Sequence, residues 1–131
     1  MSEEQNVQAV VKIYEAFGSG DIGYIIDQLT DDVHLFSHVD PVVPTAGDWS
    51  GKSKVPGFFQ AIADNVEVAS FTPAELFADG ETVISTGGFG GTSRPAGKQF
   101  DSAWVFIWKF ADNKVVSYEQ FHDWALAAAF R

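Results

Sequence analysis

The first part of the chain places apolar residues at the spacing of an amphipathic helix. Within residues 3–17, one apolar stripe follows the i, i+3, i+4, i+7 spacing: Val7, Val10, Val11, Tyr14 and Phe17. Ser2 and Gln5 form a capping box before this run, and Gly18 or Gly20 ends it. The pattern predicts a helix that packs on the rest of the protein along one face.

Three further helices are predicted. Asp21 caps a short helix that ends before Asp31-Asp32 and whose apolar residues are Ile22, Ile25, Ile26 and Leu29. A helix over 55–65 turns Phe58, Phe59 and Ile62 inward, and residues 124–130 form a short closing helix.

The second half of the chain alternates with the period of β-strands. Strands are predicted near 66–78, 81–90, 99–110 and 114–122, separated by turn residues. Helices followed by antiparallel strands predict an α+β fold, which we expect to form one domain over 1–131. The strand at 99–110 carries large aromatic residues on one face and smaller residues on the other. We therefore expect both faces to be covered, one by the helices and one by a partner subunit.

The stretch HLFSHVDP at 34–41 carries the first candidate chemistry. As a strand it places His34, Phe36, His38 and Asp40 on one face and the residues between them on the other. Two imidazoles, a carboxylate and an aromatic ring suit the wall of a reaction chamber. The same residues also suit a solvated strand face that runs into an Asp-Pro turn.

Composition and charge exclude several classes of function. The net charge is −10 and no cluster of Lys or Arg is present, so we expect neither nucleic acid nor an anionic membrane surface as a partner. The absence of Cys excludes disulfides and thiolate sites, and the three histidines lack the spacing of a metal site. No Gly-rich nucleotide motif or membrane-length apolar run occurs. We expect a cytoplasmic protein without cofactor or metal.

Several phrases, in their order, resemble one superfamily. VVKIYEAFGSGDIGYIIDQLTDDV is similar to the two-helix opening of the SnoaL-like polyketide cyclases, the ketosteroid isomerases and nuclear transport factor 2. WSGKSKVPGFFQAI resembles their third helix, and GKQFDSAWVFIWKFADNKVVSYEQFHDW resembles their last hairpin. The resemblance covers nearly the whole chain. It implies a cone-shaped α+β barrel, in which helices close on a strongly curved sheet around a deep apolar cavity, commonly in a homodimer.

The resemblance also implies catalytic positions. Asp40 matches the catalytic carboxylate of the isomerases, and Tyr14 matches the tyrosine that donates a hydrogen bond to their oxyanion. The isomerases' second acid falls near Phe106, where this chain has no acid, so steroid isomerase activity is not expected. His34 and His38 are the alternative acid/base residues, in the manner of dehydratases of this fold.

Other residues are predicted to line the cavity. They are Phe36, Trp49, Phe59, Trp104, Phe106, His122 and Asp123. Trp49 lies in a long loop that would cover the cavity, whereas Trp104 and Phe106 suit a core equally well. Asp123 falls where SnoaL-like cyclases often place an acidic base, but it also suits the N-cap of the closing helix. His122 shares a face with residues that suit either the cavity or a dimer contact.

Two functions follow from these residues. The first is an enzyme without cofactor that transfers a proton on a small apolar organic molecule, as isomerases, cyclases and dehydratases do. The second is a non-catalytic module of the same fold that binds such a molecule or dimerises. The two differ in whether Tyr14, His34, His38 and Asp40 converge on one enclosed space.

Overall fold

A computed structural model describes residues 2–131 of the chain. Its helices are α1 (Glu3–Ser19), α2 (Ile22–Asp27), α3 (Val55–Asn65) and α4 (Trp124–Ala128), with a 3-10 turn at Lys52–Lys54. Its strands are β1 (Leu29–His38), β2 (Gly47–Asp48), β3 (Val66–Asp79), β4 (Thr82–Ser93), β5 (Gln99–Ala111) and β6 (Lys114–His122). The predicted α+β class is confirmed, with the N-terminal helices preceding a six-stranded mixed sheet.

The predicted caps hold α1 in place. The Ser2 side chain accepts a hydrogen bond from the backbone of Gln5, and the Gln5 side chain accepts one from the backbone of Ser2. Gly20 ends the helix in the left-handed conformation at φ 77°, which favours glycine. The first turn is also tied to the β3–β4 turn, because a Glu3 carboxylate oxygen accepts a hydrogen bond from the Gly80 backbone at 2.7 Å.

The strands follow the order β2-β1-β6-β5-β4-β3. The β1–β6 pair is parallel, and the other neighbouring pairs are antiparallel. The prediction for Leu29 is wrong in one respect, because this residue begins β1 instead of ending α2. Leu29 pairs with Val115 of β6, and this long-range pairing overrides the helical spacing of the residues before it.

Alternation along β5 gives the sheet two different faces. Every second residue from Phe100 to Phe110 is buried, whereas the residues between them are exposed or half-buried. We call the face that carries Trp104 and Phe106 the inner face, and the face that carries Val105 the outer face. Opposite Trp104 stands Gly87, where an added Cβ would overlap the indole ring and lie 2.6 Å from the Thr72 carbonyl oxygen. Glycine at this position lets the large ring lie flat on β4.

Candidate functional site

A cavity lies between the helices and the inner face of the sheet. Its volume is about 70 Å³, about half that of an engineered apolar cavity of about 150 Å³ that binds benzene, so an aromatic ligand enters only when the lining side chains move apart. Its lining is mainly aromatic and aliphatic; the aromatic members are Tyr14, Phe17, Phe58, Phe59, Phe71, Phe89, Phe106, Trp108, Tyr118 and Phe130. Four of the eleven predicted site residues are among the lining residues: Tyr14, Phe59, Phe106 and His122.

Tyr14 lines the cavity with its ring, and its hydroxyl is already hydrogen-bonded. The hydroxyl accepts a hydrogen bond from Nε1 of Trp108 at 2.9 Å and shares a second, short hydrogen bond with Oγ of Ser85. Burial raises the pKa of Tyr14 to about 12, against the smaller opposite effect of these two hydrogen bonds. Tyr14 is therefore a neutral phenol held in a fixed position on α1.

A row of hydrogen-bonded polar side chains lies along β6 beside the cavity. The hydroxyl of Tyr118 donates to Oε1 of Gln120 at 2.7 Å, and Nε2 of Gln120 donates to Oγ of Ser37 at 2.9 Å. All three side chains are buried. Burial also holds the pKa of Tyr118 well above its usual value. The one amide hydrogen of Gln120 that this chain of bonds leaves over is available to an acceptor in the cavity.

His122 is the titratable side chain of the lining whose ordinary pKa lies nearest neutrality. Its Nδ1 lies 3.4 Å from Oγ of Ser102, and its ring lies edge-on to Phe106 with centroids 5.7 Å apart. Burial lowers the pKa of His122 to about 4, and the neighbouring Asp123 carboxylate opposes this shift only in part. The imidazole is therefore uncharged at neutral pH.

Asp123 supports this histidine from outside the cavity. Its Oδ1 accepts hydrogen bonds from Oγ of Ser102 and from the Ala125 backbone, both at 3.0 Å, and its Oδ2 accepts one from the Ala103 backbone at 3.1 Å. Burial raises the pKa of Asp123, but these hydrogen bonds outweigh burial and leave the pKa below its usual value. The carboxylate is also the N-cap of α4, the alternative role foreseen from the sequence.

Asp40 lies outside the cavity lining, in a turn after β1. The strand ends at His38, and Pro41 offers no backbone N–H to continue the ladder. Oδ2 of Asp40 lies 2.8 Å from Nη2 of Arg131, and Oδ1 accepts a hydrogen bond from the Val42 backbone at 2.9 Å. The carboxylate is thus engaged in an ion pair and in closing the turn.

His34, Phe36 and His38 lie on the outer face of the sheet. Val33, Leu35 and Ser37 are buried, so alternation turns the residues between them away from the cavity. The side chains of His34 and His38 are 47% and 36% exposed. The structure therefore does not bring these histidines together with Tyr14.

Glu119 joins the two histidines on that outer face. Its Oε1 lies 2.9 Å from Nε2 of His38 and 3.4 Å from Nε2 of His34. The hydrogen bond with His38 is the main cause that lowers the pKa of Glu119. The His38 ring also stacks on Phe121 with centroids 4.3 Å apart. These contacts form an exposed polar and aromatic cluster on the sheet.

The two predicted tryptophans lie one layer behind the cavity lining. Trp49 donates from Nε1 to the Thr45 carbonyl at 3.0 Å and packs edge-on against Phe58. Trp104 is 2% exposed and stacks on Phe71 and Phe106. Both tryptophans support lining residues and are themselves outside the lining.

The polar residues of the inner face were not among the residues predicted from the sequence. Ser37, Ser85, Ser102 and Gln120 are buried on strands whose neighbouring inward positions are apolar. A polar residue at an inward position of an otherwise apolar strand is the signal that would have identified them.

The described residues contain neither a cluster of metal ligands nor a helix of membrane-spanning type. Among residues 2–131, no group of three or more His, Cys, Asp or Glu side chains is arranged to hold a metal ion. No helix in the same range combines the length and apolar character that crossing a membrane requires.

The chain matches a known family model and is similar in fold to several solved structures. Residues 10–118 match the family model of the SnoaL-like domain. An NTF2-like protein from Burkholderia xenovorans LB400 is 29% identical, with a TM-score of 0.89 over 100% of this chain and 99% of its own. An NTF2-like protein from Burkholderia thailandensis E264 is 24% identical, with a TM-score of 0.88 over 100% and 99%.

A third solved structure includes a small molecule. TerC, co-crystallised with polyporic acid, is 21% identical to this chain, with a TM-score of 0.84 over 96% of this chain and 98% of its own. At this identity the likeness concerns the fold alone. Among curated proteins, none is similar enough to this chain to count as a relative.

Proposed function

This chain belongs to the SnoaL-like domain family, and we propose that it binds a small, mostly apolar organic molecule in the cavity and transfers a proton on it. The observation that carries the proposal is an apolar cavity with one uncharged imidazole and two neutral phenols on its wall. A greasy pocket with a few fixed polar groups of perturbed pKa is the usual form of a small-molecule site.

In this proposal His122 is the residue that moves the proton. Gln120 offers its remaining amide hydrogen to the oxygen on which negative charge develops, and Tyr14 offers its hydroxyl hydrogen when Ser85 donates the hydrogen bond that the two share. His122 takes the role that the family resemblance implies for Asp40, because Asp40 is paired with Arg131 outside the lining. The step breaks a C–H bond next to a carbonyl, forms an N–H bond at the imidazole and leaves an enolate. Isomerisation, cyclisation and dehydration all begin with such a step.

Hydrogen–deuterium exchange tests the proposal. In D₂O at neutral pH, 2-indanone exchanges the protons between its ring and its carbonyl group, and NMR follows their loss. We expect the protein to accelerate this exchange and His122→Gln to remove at least about nine-tenths of the acceleration, since general base catalysis contributes roughly 100-fold or more.

His38→Gln is the matched control for that experiment. It makes the same substitution on the outer face, where the imidazole is partly exposed, and we expect it to retain full exchange activity. Equal rates for the wild type and His122→Gln would refute the assignment of proton transfer to His122.

A binding module without catalysis is the second candidate function. Two observations favour it: Asp40 is held in an ion pair, and the histidines of β1 lie on the outer face. This alternative predicts that 2-indanone binds in the cavity while its exchange rate stays at the value in buffer. The relative co-crystallised with polyporic acid is consistent with either function.

We also propose that the outer face is the contact of a homodimer. Large apolar side chains on four adjacent strands are solvent-exposed: Phe77 55%, Ile84 39%, Val105 39% and Phe121 37%. Apolar surface of this extent suits a partner, and a second copy is the partner that the family resemblance implies.

Sedimentation should give a dimer for the wild type and a monomer for Val105→Lys. Gln60→Lys, on the exposed side of α3, should remain dimeric. A monomeric wild type would contradict the proposal.

A cytoplasmic location remains a prediction from the sequence.

A further inference from the structure

Three side chains at the end of β6 form a chain of hydrogen bonds that leads into the cavity. Asp123 is the most exposed of the three, Ser102 of β5 is fully buried, and His122 lines the cavity. Oγ of Ser102 lies 3.0 Å from Oδ1 of Asp123 and 3.4 Å from Nδ1 of His122. The serine hydroxyl thus stands between the carboxylate and the imidazole.

The direction of the protons follows from what each group is able to donate. Ser102 has one hydroxyl hydrogen, and its other neighbour, the Ala103 carbonyl oxygen at 3.3 Å, only accepts. The ionised carboxylate of Asp123 is the nearest and strongest acceptor, so it takes the hydroxyl hydrogen. Oγ is then left as an acceptor toward His122, and Nδ1 must supply the hydrogen of that contact.

We infer that Asp123, acting through Ser102, holds His122 in the tautomer protonated on Nδ1 and leaves the lone pair of Nε2 for a molecule in the cavity. The inference rests on the proposed function only for the identity of the cavity as the ligand site. Ser102 and Asp123 are positioning residues, since they act through His122.

The inference narrows the class of ligand. A lone pair on Nε2 accepts a hydrogen bond or a proton and cannot donate one at neutral pH. Burial, which lowers the pKa of His122 to about 4, keeps the ring uncharged under these conditions. The ligand that fits is a neutral molecule that presents a hydroxyl group or an acidic C–H group to this wall. A ligand with neither group has no partner at Nε2.

The tautomer is measured directly by ¹⁵N NMR of the imidazole side chains, without any ligand. The protein has three histidines, and the signals missing in His122→Gln identify those of His122. In the wild type at neutral pH we expect a protonated-type shift for Nδ1 and an unprotonated-type shift for Nε2. The reverse pattern in the wild type would overturn the inference.

Two variants separate this role from simple packing. Asp123→Ala removes the acceptor of the Ser102 hydroxyl hydrogen and weakens the N-cap of α4. Ser102 is then free to donate to Nδ1, and we expect the proton of His122 to move to Nε2. Ser102→Ala removes the connection, and we expect shifts averaged between the two tautomers. Unchanged His122 shifts in both folded variants would also overturn the inference.

A pair of probes tests the class of ligand. Phenol and its methyl ether, anisole, each carry one aromatic ring, and only phenol has a hydroxyl hydrogen to donate. We expect the wild type to bind phenol about 10-fold more tightly than anisole, as one hydrogen bond contributes, and Asp123→Ala to lose this preference. If neither probe binds, the proposed cavity function fails while the tautomer still decides the inference. Equal binding of both probes by the wild type would refute the ligand class.

Discussion

The neutral, half-buried imidazole of His122 predicts how the stability of the protein depends on pH. In the unfolded chain this residue has the ordinary histidine pKa of about 6.5, whereas burial lowers the pKa in the folded protein to about 4. Between these two values the unfolded state binds more protons than the folded state. The contribution of His122 to the free energy of unfolding is therefore fully present above the unfolded pKa and is lost as the pH falls toward 4.

The size of the effect follows from the two pKa values. Linkage between folding and proton binding gives a loss of about 2 kcal/mol in the free energy of unfolding between pH 7 and pH 5 from this one group. The full contribution is on the order of 3 kcal/mol and is exhausted below the folded pKa. The carboxyl groups of Asp123 and Glu119 have lowered pKa values and so lose their contributions mainly at more acidic pH.

Urea unfolding between pH 5 and pH 7 measures this loss. We expect the free energy of unfolding of His122→Gln to depend less on pH than that of the wild type by about 2 kcal/mol over this interval. His38→Gln, on the partly exposed outer face, should follow the wild-type pH dependence more closely. If the wild type and His122→Gln show parallel curves, His122 is not buried in its neutral form and the electrostatic account of the site is wrong.

Three more substitutions test the inner face and the turn after β1. Gly87→Ala should lower stability by about 3 kcal/mol, or the melting temperature by roughly 10 °C, because the new Cβ overlaps Trp104; Gly88→Ala, with nothing within 4 Å of its Cβ, should change little. Asp40→Asn should cost no more than about 1 kcal/mol, as for other partly exposed ion pairs, and should retain 2-indanone exchange; loss of exchange would return the catalytic role to Asp40. Tyr118→Phe should cost about 1–2 kcal/mol in urea unfolding, because it removes the hydroxyl donor of a buried amide oxygen; an unchanged stability would contradict the hydrogen-bonded chain on β6.

The elements of the fold could be read from the sequence because their signals are local. The capping box at Ser2, the apolar stripe of α1 and the alternation of β5 each lie within a short window, and the structure agrees with all three. The start of β1 could not be read in this way. Leu29 continues the helical spacing, and only its pairing with Val115, far along the chain, makes it a strand residue.

The candidate site could be predicted only in part, because the orientation of β1 depends on distant strands. Alternation sorts HLFSHVDP into two faces but does not say which face turns inward. Parallel pairing with β6 and the burial of Leu35 and Ser37 turn His34 and His38 outward. The sequence predicts His122 as a pocket residue. Its contact with Ser102 could not be predicted, because the contact joins two strands whose register does not follow from the sequence.

The central claim is that a small organic molecule binds at the inner face of the sheet and not at the histidine-bearing outer face. Intermolecular nuclear Overhauser effects from bound 2-indanone to assigned methyl groups test it directly. The account predicts signals to Leu35 and Val43, which line the cavity, and none to Ile84 and Val105, which are exposed on the outer face. Signals to Ile84 and Val105 without signals to the first pair would contradict it.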